Sequence, residues 1–303
     1  MDISITANDI GAERLSRIHR LADGRRIGYA EYGHPAGAPV LALHGTPGSR
    51  LMFSLSDELA RERRLRMIAL DRPGYGLSDY CRYESLRQSA DDIAALAGGL
   101  ELRRFAILGV SGGGPYTVAA AAAMPAKVLL LALVAPVGPI RDCAAQVSLR
   151  NTHKLIFQRL APSPAATRAF FWSLKQVLRI APGLAYRGLK LRVTPSDRRV
   201  LDDAEVRASL LAAIGGGLRH GVDGAVQDLR IFSEPWGLPL TSIDVPAVLW
   251  QGSDDTIVPA AASYWLAEKL PNCRLDVMHG AGHYWVFDQF GLVLDAVAAA
   301  LHG

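Results

Sequence analysis

Short, continuously apolar runs recur along this chain of 303 residues, and longer segments with apolar positions at helical spacing separate them. Runs of this kind are typical of strands that helices cover on both faces of a parallel sheet. The runs that predict strands are residues 40–43, 67–70, 105–108, 129–134, 247–250 and 275–278. The intervening patterns predict helices near residues 54–63, 87–99, 114–123, 260–270 and 286–301.

This alternation of strands and helices predicts an α/β fold with an open, doubly wound and mostly parallel sheet. Residues 25–32 alternate apolar and polar positions more strictly, which predicts an antiparallel strand at the edge of the sheet.

The alternation lapses between about residue 139 and residue 240. This interval is helical in character, prolines interrupt it, and strand character resumes only at Val245. We interpret residues 139–240 as a helical cap inserted after about the sixth strand. Residues 1–138 and 241–303 would then form the core.

The composition is that of a soluble globular protein, with 50% hydrophobic and 20% charged residues and a net charge of +4. The charge is uneven, because residues 141–230 hold 15 basic and 7 acidic residues, a net charge of +8. We interpret this as a solvated basic surface, in preference to the recruitment of acidic substrates or of a membrane surface. The sequence contains no arginine-rich run with interleaved aromatic residues, so nucleic acid is not expected as a partner.

The sequence predicts a cytoplasmic protein without a membrane span. Three scattered cysteines fit a reducing compartment, and residues 1–10 contain no apolar core of signal-peptide length. Residues 117–137 are the most hydrophobic window, but Pro125 and Lys127 divide it into the end of a helix and the start of a strand.

A candidate nucleophile, Ser111, lies between two glycines in the segment Gly109-Val110-Ser111-Gly112-Gly113. An apolar run precedes this segment and an alanine-rich helical run follows it. A sharp turn from strand to helix exposes a serine at its apex and requires small neighbours, so the segment predicts a nucleophile elbow.

The partners of such a serine should follow in the order acid and then histidine, on loops after later strands. Asp254 and Asp255 both follow the strand 247–250. Asp255 is favoured, because it lies three residues after Gly252 and three before Val258, and Asp254 remains the alternative.

After the last strand, His283 follows the glycines of a loop that can reach the serine, and it is the expected general base. His279 lies directly against the strand, which favours a structural role. The two histidines are four residues apart, but glycines between them argue against a helix that could bind zinc. A serine triad requires no metal and no organic cofactor, and none is expected here.

Two backbone N–H groups are needed to stabilise an oxyanion. Gly112 follows the nucleophile at the start of a helix and should supply one of them. Thr46, in the loop His44-Gly45-Thr46-Pro47-Gly48 after the strand 40–43, should supply the other.

On these motifs the chain resembles the α/β-hydrolase superfamily. The matching segments are residues 43–50, Asp71-Arg72-Pro73-Gly74-Tyr75-Gly76-Leu77-Ser78, the elbow, residues 252–259 and residues 280–283. The resemblance covers roughly residues 25–140 and 240–303, and it implies Ser111, Asp255 and His283 as the catalytic triad.

Within that superfamily the resemblance implies the branch of esterases and proline iminopeptidases. Epoxide hydrolases and haloalkane dehalogenases use an aspartate nucleophile, where this chain has Ser111. Proline iminopeptidases typically have a glycine where this chain has Thr46 and a tryptophan where it has Gly112, which weakens a peptidase interpretation. The family gives the segment around Asp71 a shaping role, although Asp71 ends a strand as a catalytic carboxylate could.

Aromatic residues supply candidates for a substrate pocket. Phe170-Phe171-Trp172 in the predicted cap could line an apolar acyl pocket or form the core of the cap, and the core is favoured. Trp172 and Trp285 are the residues predicted for the pocket.

The sequence thus predicts a serine hydrolase that cleaves an ester, thioester or lactone of a small to medium substrate through an acyl-enzyme. The first alternative is the same triad acting on carbon–carbon or amide bonds or in perhydrolysis. The second is a binding protein on a hydrolase scaffold.

Overall fold

In the computed structural model, which describes residues 11–143 and 153–303, eight strands form a single sheet. The strands are β1 (Arg17–Arg20), β2 (Arg26–Gly33), β3 (Ala38–Leu43), β4 (Leu65–Leu70), β5 (Phe105–Val110), β6 (Val128–Val134), β7 (Ala247–Gly252) and β8 (Cys273–Met278). Their order across the sheet is β1-β2-β4-β3-β5-β6-β7-β8. Only the pairs β1–β2 and β2–β4 are antiparallel, so the predicted α/β fold with a mostly parallel sheet is confirmed.

Each of the six apolar runs lies within one of the parallel strands. The prediction for residues 25–32 is partly wrong. Strand β2 is antiparallel, but β1 pairs with its outer side in the register Arg17↔Tyr29, so β1 forms the edge of the sheet. The sequence of β1, Arg17-Ile18-His19-Arg20, has a single apolar residue and therefore gives no strand signal.

Helices cover both faces of the sheet. The α-helices of the described residues, which also include those between β6 and β7, are α1 (Ala12–Leu15), α2 (Asp57–Glu62), α3 (Leu86–Gly99), α4 (Gly114–Ala123), α5 (Pro164–Ile180), α6 (Pro182–Lys190), α7 (Pro195–Asp202), α8 (Ala204–Gly217), α9 (Asp223–Ser233), α10 (Ala260–Lys269) and α11 (Val286–His302), and a π-helix spans Lys154–Leu160. The helix predicted at residues 54–63 begins earlier, as a 3₁₀ helix at Arg50–Ser56 that leads into α2.

Alternate residues of a strand belong to two different hydrophobic clusters. In β3, Leu41 and Leu43 pack with α3, α4 and α10, whereas Val40 and Ala42 pack with α2 and α11. Burial of each large aliphatic side chain contributes about 1.5–3 kcal/mol. Both faces therefore fix the sheet, and with it the loops at its carboxyl edge.

The described residues between β6 and β7 contain helices and no strand. We call residues 153–233, which include α5 to α9, the helical insertion. Pro164, Pro182 and Pro195 are the first residues of α5, α6 and α7, where a missing N–H costs nothing. The division of the chain into a core and a cap stays a prediction.

The insertion packs against the loops of the sheet through two apolar clusters. Tyr75 lies in one of these clusters with residues of α5 and α9. Tyr284 and Phe287 pack against the other, which α6, α7 and α8 supply.

Helix α4 ends at Ala123 and β6 begins at Val128, so residues 117–137 divide as predicted. No helix within residues 11–143 and 153–303 is long and apolar enough to span a membrane. Residues 1–10, where the sequence contains no signal-peptide core, lie outside the described residues.

Candidate active site

Ser111 adopts a strained backbone conformation between β5 and α4, with φ of +52°. The glycines two residues before and after it are required, because a side chain at either position would have no room. A Cβ atom at Gly109 would lie 2.6 Å from Thr117 Oγ1, and one at Gly113 would overlap the carbonyl group of Leu43. The turn predicted around Ser111 is therefore present, with the serine at its apex.

Three of the predicted side chains form a hydrogen-bonded relay. Ser111 Oγ lies 3.1 Å from His283 Nε2, and His283 Nδ1 lies 2.7 Å from Asp255 Oδ2. His283 and Asp255 are only 8% and 4% exposed. Nδ1 must carry a proton to meet the carboxylate, which leaves Nε2 of the neutral ring free to accept the proton of Ser111.

Asp255 is held by donors on both carboxylate oxygens. Oδ1 accepts from the N–H groups of Ile257 and Val258, and Oδ2 also accepts from Gln251 Nε2 at 3.0 Å. Burial alone would raise the pKa of Asp255, but His283 and the N–H groups of Ile257 and Val258 hold it below its ordinary value. Asp254 is exposed and accepts from Ser253 Oγ instead, so the structure brings Asp255 to the histidine and not Asp254.

Burial opposes protonation of the His283 ring, but the charges of Asp255 and Asp197 outweigh it and raise the pKa of His283 above its ordinary value. The raised pKa suits a general base that receives a proton during the reaction.

The loop after β3 lies against the elbow. A Cβ atom at Gly45 would lie 3.3 Å from Ser111 Cβ, and one at Gly112 would overlap Thr46 Oγ1. Within the described residues the Thr46 N–H donates no hydrogen bond. The N–H of Gly112 belongs to the first turn after the elbow, where N–H groups lack helical acceptors. Both predicted donors therefore lie where the loop meets the elbow.

A buried network that the sequence analysis missed holds this loop. Asp228 Oδ2, on α9, accepts from Thr46 Oγ1 at 2.5 Å, Arg72 Nη2 at 2.6 Å and Tyr75 OH at 2.6 Å. Asp228 Oδ1 accepts from Tyr116 OH at 2.5 Å. The only signal in the sequence is that Asp228 lies on the apolar face of its helix, with Ala225 and Phe232.

Arg72 links the same network to the backbone of the loop. It donates to the carbonyl groups of His44 and Gly45 and, at 2.9 Å, to Thr46 Oγ1. Although burial opposes its charge, the neighbouring Asp228 raises the pKa of Arg72, so the guanidinium remains charged.

Asp197 was also missed. Its carboxylate, on α7, accepts from the backbone N–H of His283 at 2.9 Å and of Tyr284 at 2.7 Å. Its sequence signal is again a carboxylate on an apolar helix face, here with Val200 and Leu201.

The remaining candidate residues do not belong to the relay. His279 is exposed, and Asp71 is buried against Arg50. Trp172 is 58% exposed, which does not support its assignment to an enclosed pocket, whereas Trp285 is buried in the cluster of Val110. The assignment of Trp285 to a pocket stays a prediction. Of the three neighbouring aromatic residues Phe170, Phe171 and Trp172, only Phe171 is buried, and Phe170 is 42% exposed.

Within the described residues no three His, Cys, Asp or Glu side chains lie together as metal ligands would. A small apolar cavity lies beside the elbow, and its lining includes Met52, Phe53, Val110 and Phe287.

The profile of the alpha/beta hydrolase family matches residues 40–296, which is most of the chain. This chain belongs to the alpha/beta hydrolase family. Membership confirms the predicted superfamily and places this alpha/beta hydrolase among hydrolytic enzymes.

Two relatives of this alpha/beta hydrolase align over 86% of its length. One is a protein of Streptomyces lividans named non-heme chloroperoxidase, 29% identical over 272 residues that cover 91% of the relative. The other is a protein of Rhodococcus erythropolis named non-heme haloperoxidase, 28% identical over 279 residues that cover 90% of it.

Among solved structures, a putative aryl esterase from Burkholderia cenocepacia superposes with a TM-score of 0.67 and 24% identity. The superposition covers 95% of this chain and all of the other. It confirms the fold.

Proposed function

We propose that this alpha/beta hydrolase is a serine hydrolase that cleaves a carboxylic ester, thioester or lactone through an acyl-enzyme. Ser111 is the nucleophile, His283 the general base and Asp255 the group that orients the base. The substrate is a small to medium molecule, and no metal or organic cofactor takes part.

In the first half of the reaction, Ser111 Oγ attacks the carbonyl carbon while His283 Nε2 takes the hydroxyl proton. Asp255 keeps the proton of the neutral ring on Nδ1 and stabilises the imidazolium that forms. The N–H groups of Thr46 and Gly112 stabilise the oxyanion. When the intermediate collapses, the carbon–oxygen or carbon–sulfur bond breaks and the imidazolium protonates the leaving oxygen or sulfur, which gives a free alcohol or thiol.

In the second half, water takes the place of the leaving group. His283 removes a proton from this water as it attacks the acyl carbon, and the same ring returns the proton to Ser111 Oγ. The products are a carboxylic acid and the free enzyme.

The observation that carries the proposal is the relay from Ser111 through His283 to Asp255, with distances of 3.1 Å and 2.7 Å. A buried serine in αL backbone geometry, in contact with a histidine that a carboxylate orients, has no evident structural purpose.

The test is intact-mass spectrometry after exposure to a fluorophosphonate, with wild type and Ser111→Ala. We expect one covalent adduct on the wild type and none on the variant. Ser85→Ala is the matched control, because Ser85 is exposed at the start of α3, outside the relay, and it should label like the wild type. Absence of an adduct on the wild type would contradict the proposal and favour a ligand-binding protein on this scaffold.

A second candidate function is perhydrolysis, which the names of the two haloperoxidase relatives favour. Hydrogen peroxide would replace water in the second half of the reaction and release a peracid, which can oxidise a halide. An assay with acetate, peroxide and bromide, compared with the hydrolysis of aryl esters, separates the two. Halogenation that is lost in Ser111→Ala would assign perhydrolysis.

A further inference from the structure

The helical insertion contributes two buried carboxylates to the loops around Ser111. Asp197 on α7 and Asp228 on α9 are each only 1% exposed. A buried carboxylate is costly unless its oxygens accept hydrogen bonds, so the partners of the two residues indicate what they stabilise. Apart from Tyr116 on α4, which donates to Asp228, the partners lie on loops at the carboxyl edge of the sheet.

Asp197 contacts the loop that carries the histidine. Its two oxygens accept separately from the N–H groups of His283 and Tyr284. A Cβ atom at Gly282 would overlap this carboxylate, so the loop approaches Asp197 as closely as a glycine allows. These contacts fix the backbone from which the imidazole ring extends.

Asp228 contacts the loop that carries the predicted oxyanion donor. It accepts from the Thr46 hydroxyl and from Arg72, which itself binds the carbonyl groups of His44 and Gly45. The side chain of Thr46 is thus bound by an acceptor and a donor, while its N–H makes no bond within the described residues.

We propose that Asp197 and Asp228 are positioning residues through which the helical insertion sets the general base and the oxyanion donor. This inference rests on the proposed function. Neither carboxylate touches the reacting atoms, and each acts through a loop of the core.

The two residues should differ in how they act on the chemistry. The charged groups that face His283 are Asp255 from the loop after β7 and Asp197 from α7, with the phenol of Tyr284 packed edge-on at 5.3 Å. Asp228 is paired with Arg72 and is not among the groups that raise the pKa of His283. Removal of the Asp197 charge should therefore change the titration of His283, whereas removal of the Asp228 charge should not.

The experiment measures the second-order rate constant of fluorophosphonate labelling at Ser111 against pH. This readout needs no knowledge of the substrate, and a merely structural role would not move its pH midpoint. In Asp197→Asn we expect the acid limb to move to lower pH, because the ring loses a charge that favours its protonation. We also expect a plateau rate about tenfold to a hundredfold lower, because the amide cannot accept both N–H groups.

In Asp228→Asn we expect a rate about tenfold or more below that of the wild type at every pH, with an unchanged midpoint. Thr46→Val tests the same contact from the core and should show the same uniform loss, because it removes the hydroxyl and keeps the N–H. Thr46→Ser retains the hydroxyl and should recover most of the rate that Thr46→Val loses.

Matched controls exist on the same two helices. Asp202→Asn on α7 and Asp223→Asn on α9 remove the same charge from carboxylates whose side chains are 65% and 41% exposed. Both should label with the rate and the midpoint of the wild type.

Labelling of Asp197→Asn with an unchanged rate and midpoint would overturn the proposal for Asp197. Equal labelling of Thr46→Val and wild type would overturn it for Asp228, even if Asp228→Asn fails to fold. A wild type that does not label at all would instead contradict the proposed function, so the two failures are distinguishable.

Discussion

The carboxylate of Asp71 is paired with the guanidinium of Arg50 at 2.9 Å, and both side chains are buried. Asp71 follows β4 at the same edge of the sheet as the loops that carry Ser111, Asp255 and His283. Its Oδ1 also accepts from the N–H of Arg50 and its Oδ2 from that of Leu77, so the carboxylate joins its own loop to the start of the 3₁₀ helix after β3. The pair supports the shaping role that the family resemblance implied.

We therefore expect Asp71→Ala to affect stability. The substitution leaves the buried Arg50 charge without its carboxylate partner, which should lower the free energy of unfolding by about 3–5 kcal/mol. Urea denaturation measures this loss. Asp276→Ala breaks an exposed ion pair with Arg274 and should cause a much smaller one. An Asp71→Ala protein that is as stable as the wild type but does not label at Ser111 would point to a catalytic role.

The titration of His283 should govern the pH dependence of catalysis. The ring must be neutral to take the proton of Ser111, and the neighbouring carboxylates raise its pKa above the ordinary value of 6.5. Activity should therefore fall as the pH drops through a midpoint above 6.5. The measurement is kcat/KM against pH with an aryl ester. A midpoint below 6.5 would show that burial has a larger effect on the pKa of His283 than the neighbouring carboxylates have.

The choice between the two neighbouring aspartates can be tested directly. Asp255→Asn places an amide against His283 Nδ1 and favours the tautomer with its proton on Nε2, which cannot accept the proton of Ser111. We therefore expect kcat to fall by about 10⁴-fold. Asp254→Asn changes an exposed carboxylate that does not contact the histidine and should retain the kcat of the wild type. Equal losses in the two variants would contradict the assignment of Asp255.

The geometry of the elbow predicts a strong effect of a single methyl group. In Gly113→Ala the new Cβ would overlap the carbonyl of Leu43, which is backbone in the middle of the sheet and cannot move away. We expect a loss of stability together with a loss of labelling, measured by thermal unfolding and mass spectrometry. Gly98→Ala is the control, because a Cβ there meets nothing within 4 Å on α3, and it should stabilise the protein by about 0.5–1 kcal/mol. A Gly113→Ala protein as stable and as reactive as the wild type would refute this account of the turn.

The sequence predicted the parallel strands and the relay because both leave local patterns. Continuous apolar runs mark strands that are buried on both faces, and Ser111, Asp255 and His283 each follow such a run. Strand β1 left no pattern, because an edge strand needs few apolar residues, and Ile18 is 42% exposed.

Asp197 and Asp228 could not be predicted, because their partners are 86 and 182 residues away in the chain, on loops whose positions depend on how the helices dock. Neither residue lies in a motif. An isolated acidic residue in an amphipathic helix usually lies on the solvated face. For Asp197 and Asp228, only the apolar residues on the same helix face indicated a buried position.

The hydrogen bonds of Asp197 and Asp228 also constrain the construction of chimeras from this fold. Exchange of residues 153–233 for the corresponding helices of a distant homologue, in order to transfer its selectivity, would remove the acceptors of the His283 and Tyr284 N–H groups and of the Thr46 hydroxyl. A graft would keep its turnover only if it presented a carboxylate at both places.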